Sequence, residues 1–266
     1  MHPLADLTLS RRLERCEGRA NAAIVDARAQ LQPDAGAAWI ERAGAFAMFD
    51  GVGSPLTQTF GLGIFETPAA ADLDAIEEFF TSHGAATFHE VSPIADFATV
   101  NLLTSRGYRV VELTSVMYQP IAIGGAAAGT RVIARPAEAH EVESYARLAA
   151  EGWSELTDVA PLIGDLARVS ASAQGATVFF AEADGRAIAT GALVMHDGVA
   201  LLAGAATIPS ARRMGAQRAL LEARLRFAAE RGCDLAMMCA APGSASQRNA
   251  ERQGFRIAYT RIKWGR

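Results

Sequence analysis

Hydrophobic positions in residues 130–266 alternate between a spacing near two and a spacing near 3.6, the periods of strands and helices. Residues 130–134 (TRVIA) read as a short strand ahead of Pro136. Val142, Tyr145, Ala146 and Ala149 recur on one face and predict a helix over 138–153, with a second over 161–173. Three apolar runs, 177–182, 187–195 and 199–208, predict strands joined by the turn dipeptides Asp184-Gly185 and Asp197-Gly198. An arginine- and glycine-containing loop over 210–217 opens a helix that runs to about Arg231 and stops at Gly232. A strand over 234–240, a short helix over 244–253 and a strand over 255–264 close the chain. The order is β-α-α-β-β-β-α-β-α-β.

Residues 1–122 follow this order more weakly. After an N-terminal helical region the pattern predicts strands over 39–49 and 58–65, a helix over 70–82, a strand over 87–91, a helix over 96–105 and a strand over 108–118. The ends of the halves match best: SRGYRVVELTSVMY from Ser105 parallels RQGFRIAYTRIKW from Arg252. Between them, residues 123–130 (IGGAAAGT) have the small, flexible composition of a linker. Two similar domains, 1–122 and 130–266, are the simplest account; a β-rich first half unrelated to the second is the other.

Composition narrows the class. The 266 residues are 50% hydrophobic and 20% charged, which excludes a disordered chain. A net charge of −4 provides no basic footprint, so no nucleic-acid partner is expected. Three cysteines without a CxxC and five histidines without an HExxH argue for a reducing compartment and against a disulfide framework or metal site. The first residues carry no apolar signal-peptide core. Residues 187–211 are long and apolar enough to test for a membrane span, but His196, Asp197 and Gly198 break them into two strands. The expectation is a cytoplasmic protein without a membrane partner.

The segment with most chemistry is ATIPSARRMGAQRALLEARL, from Ala206. A strand runs into Arg212, Arg213, Met214, Gly215, Ala216 and Gln217, and then into an amphipathic helix. Unpaired N–H groups and the positive end of the dipole at a helix start suit an anionic phosphate. Gly215 permits close backbone approach, and Arg212, Arg213 and Arg218 add charge. The loop lacks the GKS or GKT of a Walker motif and is not GxGxxG.

With this loop inside this element order, residues 130–266 resemble a GNAT-type N-acetyltransferase, whose signature is [R/Q]-x-x-G-x-[G/A]. Arg212 and Gly215 match; Gln217 departs from the small last position. The first half resembles a degenerate copy, giving an α/β fold of two tandem GNAT-like domains, each a mixed twisted sheet flanked by helices. The resemblance implies acetyl-CoA as co-substrate, in a cleft between strands 201–208 and 235–240, and no metal. The pantetheine would pair with the backbone of Ala206, Thr207 and Ile208, and the pyrophosphate would rest on the amides of 213–218.

In GSASQRNAERQGF, from Gly243, the family's tyrosine position falls on Ala250, which removes the usual acid for the departing thiolate. Asn249, Ser244 and Ser246 could contact the pantetheine or thiol. Glu151 and Trp153 fall where the family forms its acceptor site. Glu151, Asn249 and Glu182 are weak candidates for proton transfer, and strand 199–208 holds no ionisable residue. Arg224 and Arg226 read as a solvated helix face, His196 as an exposed turn residue, and Cys233 and Cys239 as buried small hydrophobes. The counterpart loop in the first half, FETPAAA from Phe65, has no arginine or glycine, so one cofactor site per chain is expected. The resemblance implies acetyl transfer to the primary amine of a small-molecule or peptide acceptor, by a monomer or homodimer. A catalytically weak acyl-CoA sensor or scaffold is the alternative.

Overall fold

The computed structural model describes residues 5–121 and 131–266. The expected linker, 123–130, lies outside the described residues. In chain order the first elements are α1 (Leu7–Leu31), β1 (Ala38–Arg42), β2 (Ala45–Phe49), β3 (Gln58–Phe60), α2 (Ala70–Ser82), β4 (Phe88–Val91), α3 (Phe97–Ser105) and β5 (Arg109–Pro120). There follow β6 (Val132–Pro136), α4 (Val142–Glu151), α5 (Ala160–Ser172), β7 (Ala176–Ala183), β8 (Arg186–His196), β9 (Val199–Thr207) and α6 (Ala216–Ala229). The last are β10 (Leu235–Ala240), α7 (Ala245–Arg252) and β11 (Arg256–Gly265). The architecture is α/β, with mixed sheet and flanking helices.

Two compact units form: Met1–Gln119 with Met237–Arg266, and Pro120–Ala236. In the first, strands run in the order β1-β2-β3-β4-β11-β5-β10. β3 and β4 are parallel, whereas β11 is antiparallel to both β4 and β5. The last strand of the chain thus completes the sheet begun by the first half. The spatial division differs from the one read along the sequence, which kept 130–266 together. The reason is hydrogen bonding: β11 finds partners for both its edges on β4 and β5, and the two similar segments starting at Ser105 and Arg252 become neighbours.

Local chemistry explains the departures from the expected strands. The run 39–49 is a hairpin, because Ala43 and Gly44 both take left-handed φ values of 48° and 71°. Alanine at the first turn position carries no turn signal in sequence. The run 58–65 stops at Phe60, because Gly61 and Gly63 at φ 77° and 79° turn the chain out of the sheet. α2 forms where its apolar spacing placed it, burying Leu73, Ile76 and Phe80.

The first unit also buries a charge cluster. Arg261 on β11 donates to Glu90 on β4 at 2.6 Å and to Glu14 and Glu17 on α1 at 3.2 and 2.7 Å. Tyr259 donates to Glu14 at 2.8 Å. Cys239 corrects the expectation of a small hydrophobe: its thiol lies in this cluster, 3.4 Å from a Glu17 oxygen, and burial pushes its pKa well up. Cys233 is buried as expected.

In the second unit strands run β9-β8-β7-β6, all antiparallel. Asp184-Gly185 and Asp197-Gly198 form the expected turns, with all four φ values positive. Phe180 packs on Tyr145 of α4, and its neighbour Phe179 packs on Phe227 of α6. Successive side chains of a strand point to opposite faces, so α4 and α6 cover opposite faces of this sheet. Glu182 is tied to Arg135 at 2.8 Å, together with Glu141.

Candidate active site

The site is built on the C-terminal part of β9. The β8–β9 register jumps from Thr190↔Ala206 to Ala192↔Ala203, so β9 carries one extra residue, a β-bulge. Gly204 sits in it at φ 59°, and Gly204 and Ala205 have no register partner on β8. Ala203, Gly204 and Ala205 are exposed, in a strand whose preceding residues are buried. A Cβ on Gly204 would lie 3.3 Å from the Tyr145 hydroxyl, so α4 closes tightly on the bulge.

After β9 a short 3-10 turn, Pro209–Ala211, leads to Arg212. Arg213 at φ 68° and Gly215 at φ 90° are both left-handed, and this reversal aims the first turn of α6 into the loop. No side chain caps α6, and no acidic residue lies in its first turn. A Cβ at Gly215 would meet nothing within 4 Å. Ala216, Gln217 and Arg218 therefore start a 14-residue helix whose positive end faces open space. Such an end can accept an anionic group.

The side chains of the loop divide their roles. Arg212 pairs with Glu155 at 2.6 Å and reaches the Gly152 carbonyl at 3.4 Å, which fixes the α4–α5 loop. Arg218 pairs with Glu222 at 2.7 Å. Arg213, exposed, makes no hydrogen bond or ion pair among the described residues. Gln217 donates to the Thr207 hydroxyl at 2.7 Å and staples the end of β9 to the start of α6. The larger residue at the motif's last position thus has a structural use. Met214 is exposed and Ala216 buried.

Ile208 corrects one expectation. Its N–H donates to Ile188 at 3.1 Å and its carbonyl accepts from Ala211 at 3.0 Å, so its backbone is already used. The break in the register with β8 is at Gly204 and Ala205 instead. Gly152 packs so closely that a Cβ there would lie 2.7 Å from the Ala206 Cβ, which brings Glu151 and Trp153 beside β9. Both are exposed, Trp153 at 40%. Ser246 and Asn249 are exposed on α7, in the other unit, where Asn249 accepts from Arg252 at 3.2 Å. Ala250, at the expected tyrosine position, is buried.

Arg224 corrects the reading of a solvated helix face. It is 4% exposed and turns inward from α6 to donate to the carbonyls of Ala192 at 3.1 Å and Ala203 at 3.2 Å. The spacing of one arginine on an otherwise apolar face was the available signal. Its meaning depended on a bulge that the sequence did not reveal.

Residues 140–255 match the family model described as the acetyltransferase (GNAT) family. Those residues carry the GNAT-family match, which spans less than half of the chain. A GCN5-related N-acetyltransferase from Kribbella flavida is similar over 91% of this chain and 95% of its own, at 21% identity and a TM-score of 0.59. A tandem GNAT protein from the clavulanic acid biosynthesis pathway is similar over 84% of this chain and 78% of its own, at 14% identity and a TM-score of 0.55. A GCN5-related N-acetyltransferase from Sphaerobacter thermophilus is similar over 79% and 71%, at 15% identity and a TM-score of 0.54. These likenesses show a GNAT fold, including its tandem form. No curated protein matches the chain. Among the described residues, no cluster could hold a metal ion and no helix is long and apolar enough to cross a membrane.

Proposed function

We propose that the protein is an N-acetyltransferase that moves the acetyl group of acetyl-CoA to a primary amine. The observation that carries this reading is the start of α6: an uncapped helix end, without an acid in its first turn, opening on the Cβ-less Gly215 at the end of a bulged strand. That end suits a pyrophosphate, held by the amides of 213–218 with Arg213 as the available cation. The backbone of Ala206 and Thr207 is the proposed partner of the pantetheine.

Acetyl-CoA supplies a thioester carbonyl: the amine nitrogen forms the new C–N bond, the C–S bond breaks with its electron pair on sulfur, and the ammonium proton passes to water. The N–H groups of Gly204 and Ala205, where the register with β8 is broken, are the donors proposed to polarise that carbonyl. Glu151 and Trp153 are the proposed amine contacts. With no ionisable side chain on β9, positioning carries the rate. On this reading residues 130–266 hold the one cofactor site, residues 1–122 form a GNAT-like domain without one, and the protein works in the reducing cytoplasm, which its three free cysteines support. The acceptor is a small molecule or peptide, and the protein a monomer or homodimer.

Calorimetry with acetyl-CoA tests the reading. Wild type should bind, and Gly215→Glu should not. A wild type that does not bind sinks both the transferase and an acyl-CoA sensor. Buried Ala250 favours the sensor as the second reading. Amine-dependent CoA release across an amine panel separates the two, and a sensor would release none.

A further inference from the structure

Arg224 is a costly residue where it stands. A buried guanidinium without a counter-charge is strongly disfavoured, and among the described residues no carboxylate pairs with it. Its partners are three carbonyls: Leu220 on its own helix, and Ala192 and Ala203, the register pair that borders the bulge. The neighbouring strand is shaped around it. A Cβ at Gly191 would lie 3.0 Å from its Cζ and Nη1, so an alanine there would press the guanidinium out of place by a few tenths of an ångström. A leucine here would fill the space, but both bulge carbonyls would lose their donor.

We propose that Arg224 is a positioning residue of the acyl-transfer site: it holds the β9 bulge in shape, and its unpaired charge behind Ala203 favours a thiolate in front of it. The inference rests on the acetyl-transfer reading above. Burial lowers the guanidinium to about 10, so it is a cation at neutral pH. The titratable group that faces it is Tyr145 from α4, whose hydroxyl burial pushes up and keeps neutral. β8 brings Gly191 and Ala192 to this point, and Arg218 and Glu222 of α6 satisfy each other at the surface. In the transfer step the electron pair of the broken C–S bond stays on sulfur, and the field of Arg224 stabilises that anion without a proton donor.

The test compares CoA with acetyl-CoA, which differ at the sulfur. If the bound thiol ionises more easily than the unbound one, the ratio of CoA to acetyl-CoA affinity rises with pH. A nearby cation lowers such a pKa by about one unit, so the ratio begins to rise between about pH 6.5 and 8.5 and approaches about tenfold only above the free thiol's pKa. Calorimetry between pH 6.5 and 8.5 should show that rise for wild type and Arg224→Lys, and a flat ratio for Arg224→Met. Gly191→Ala, which displaces the guanidinium without removing it, should flatten the ratio in part and serves if Arg224→Met does not fold. A ratio that rises equally in wild type, Arg224→Met and Gly191→Ala overturns the inference, as does a wild-type ratio that is flat. Failure of wild type to bind either ligand overturns the acetyl-transfer reading itself, and is thereby distinguished.

Discussion

The two units treat positive charge in opposite ways. In the first, the loop between β3 and α2 ends at a helix whose start is already occupied: Asp72 accepts from the Ala69 N–H at 2.9 Å. Its buried Arg261 is surrounded by Glu14, Glu17 and Glu90. In the second, the loop between β9 and α6 ends at a helix with no acid in its first turn, and buried Arg224 meets only carbonyls. The first unit supplies its own anions and has the electrostatics of a scaffold. The second leaves two positive elements uncompensated, one near the exposed residues Ala203 to Ala205 and one at the exposed residues Arg212 to Gly215, the arrangement expected where an anionic ligand completes the site.

The largest effect should come from removing the compensated cation. Arg261→Met would leave three buried carboxylates without the guanidinium that pairs with them and should cost about 3–5 kcal/mol in chemical denaturation. A loss below about 1 kcal/mol would show that the cluster does not hold β11 in place. Next, Gly215→Glu gives the second loop the acidic character of the first. A non-glycine residue at φ 90° and a carboxylate at the helix start both act against an anion, and acetyl-CoA affinity should fall by about a hundredfold, or about 2.7 kcal/mol. Unchanged affinity would erase the contrast between the loops.

pH separates the units as well. Burial holds Glu14 and Glu90 above the ordinary carboxylate value, before the opposing pull of Arg261. A group raised on folding contributes stability while protonated and loses it as pH rises from about 4.5 through its folded pKa. Glu14→Gln should therefore flatten a fall in melting temperature on that side. In the second unit hydrogen bonding by Arg135 holds Glu141 at about 2, so its contribution is present above about 4.5 and lost as pH falls toward 2. Glu141→Gln should leave the rising limb untouched and soften the acid limb, as read by melting temperature against pH. The smallest effect is for Arg213→Ala, which removes an exposed cation and should weaken acetyl-CoA by about threefold at low salt and less at high salt.

Most elements were legible in the sequence, because helices, strands and tight turns follow spacings of a few residues. α2, β7, β8 and β9 lie where the hydrophobic period put them, and the loop from Arg212 to Gly215 stands before α6 as its glycine and flanking elements indicated. The misses share a cause. Ala43 turns a hairpin without a turn signal, Gly61 and Gly63 end β3 early, and Cys239 joins a polar cluster that α1 and β11 bring to it.

By itself the sequence determined the order of elements, the family match of residues 140–255 and the strand–loop–helix of β9, Arg212 to Gly215 and α6. All of these depend on neighbours close in the chain. Only the tertiary structure decided where β11 pairs, that Arg212 turns to Glu155, and that Arg224 goes inward to two bulge carbonyls. These outcomes follow from which strand edges, carboxylates and carbonyls remain unpaired after the elements pack. That remainder is set by contacts between residues distant in the chain, and no local pattern encodes it.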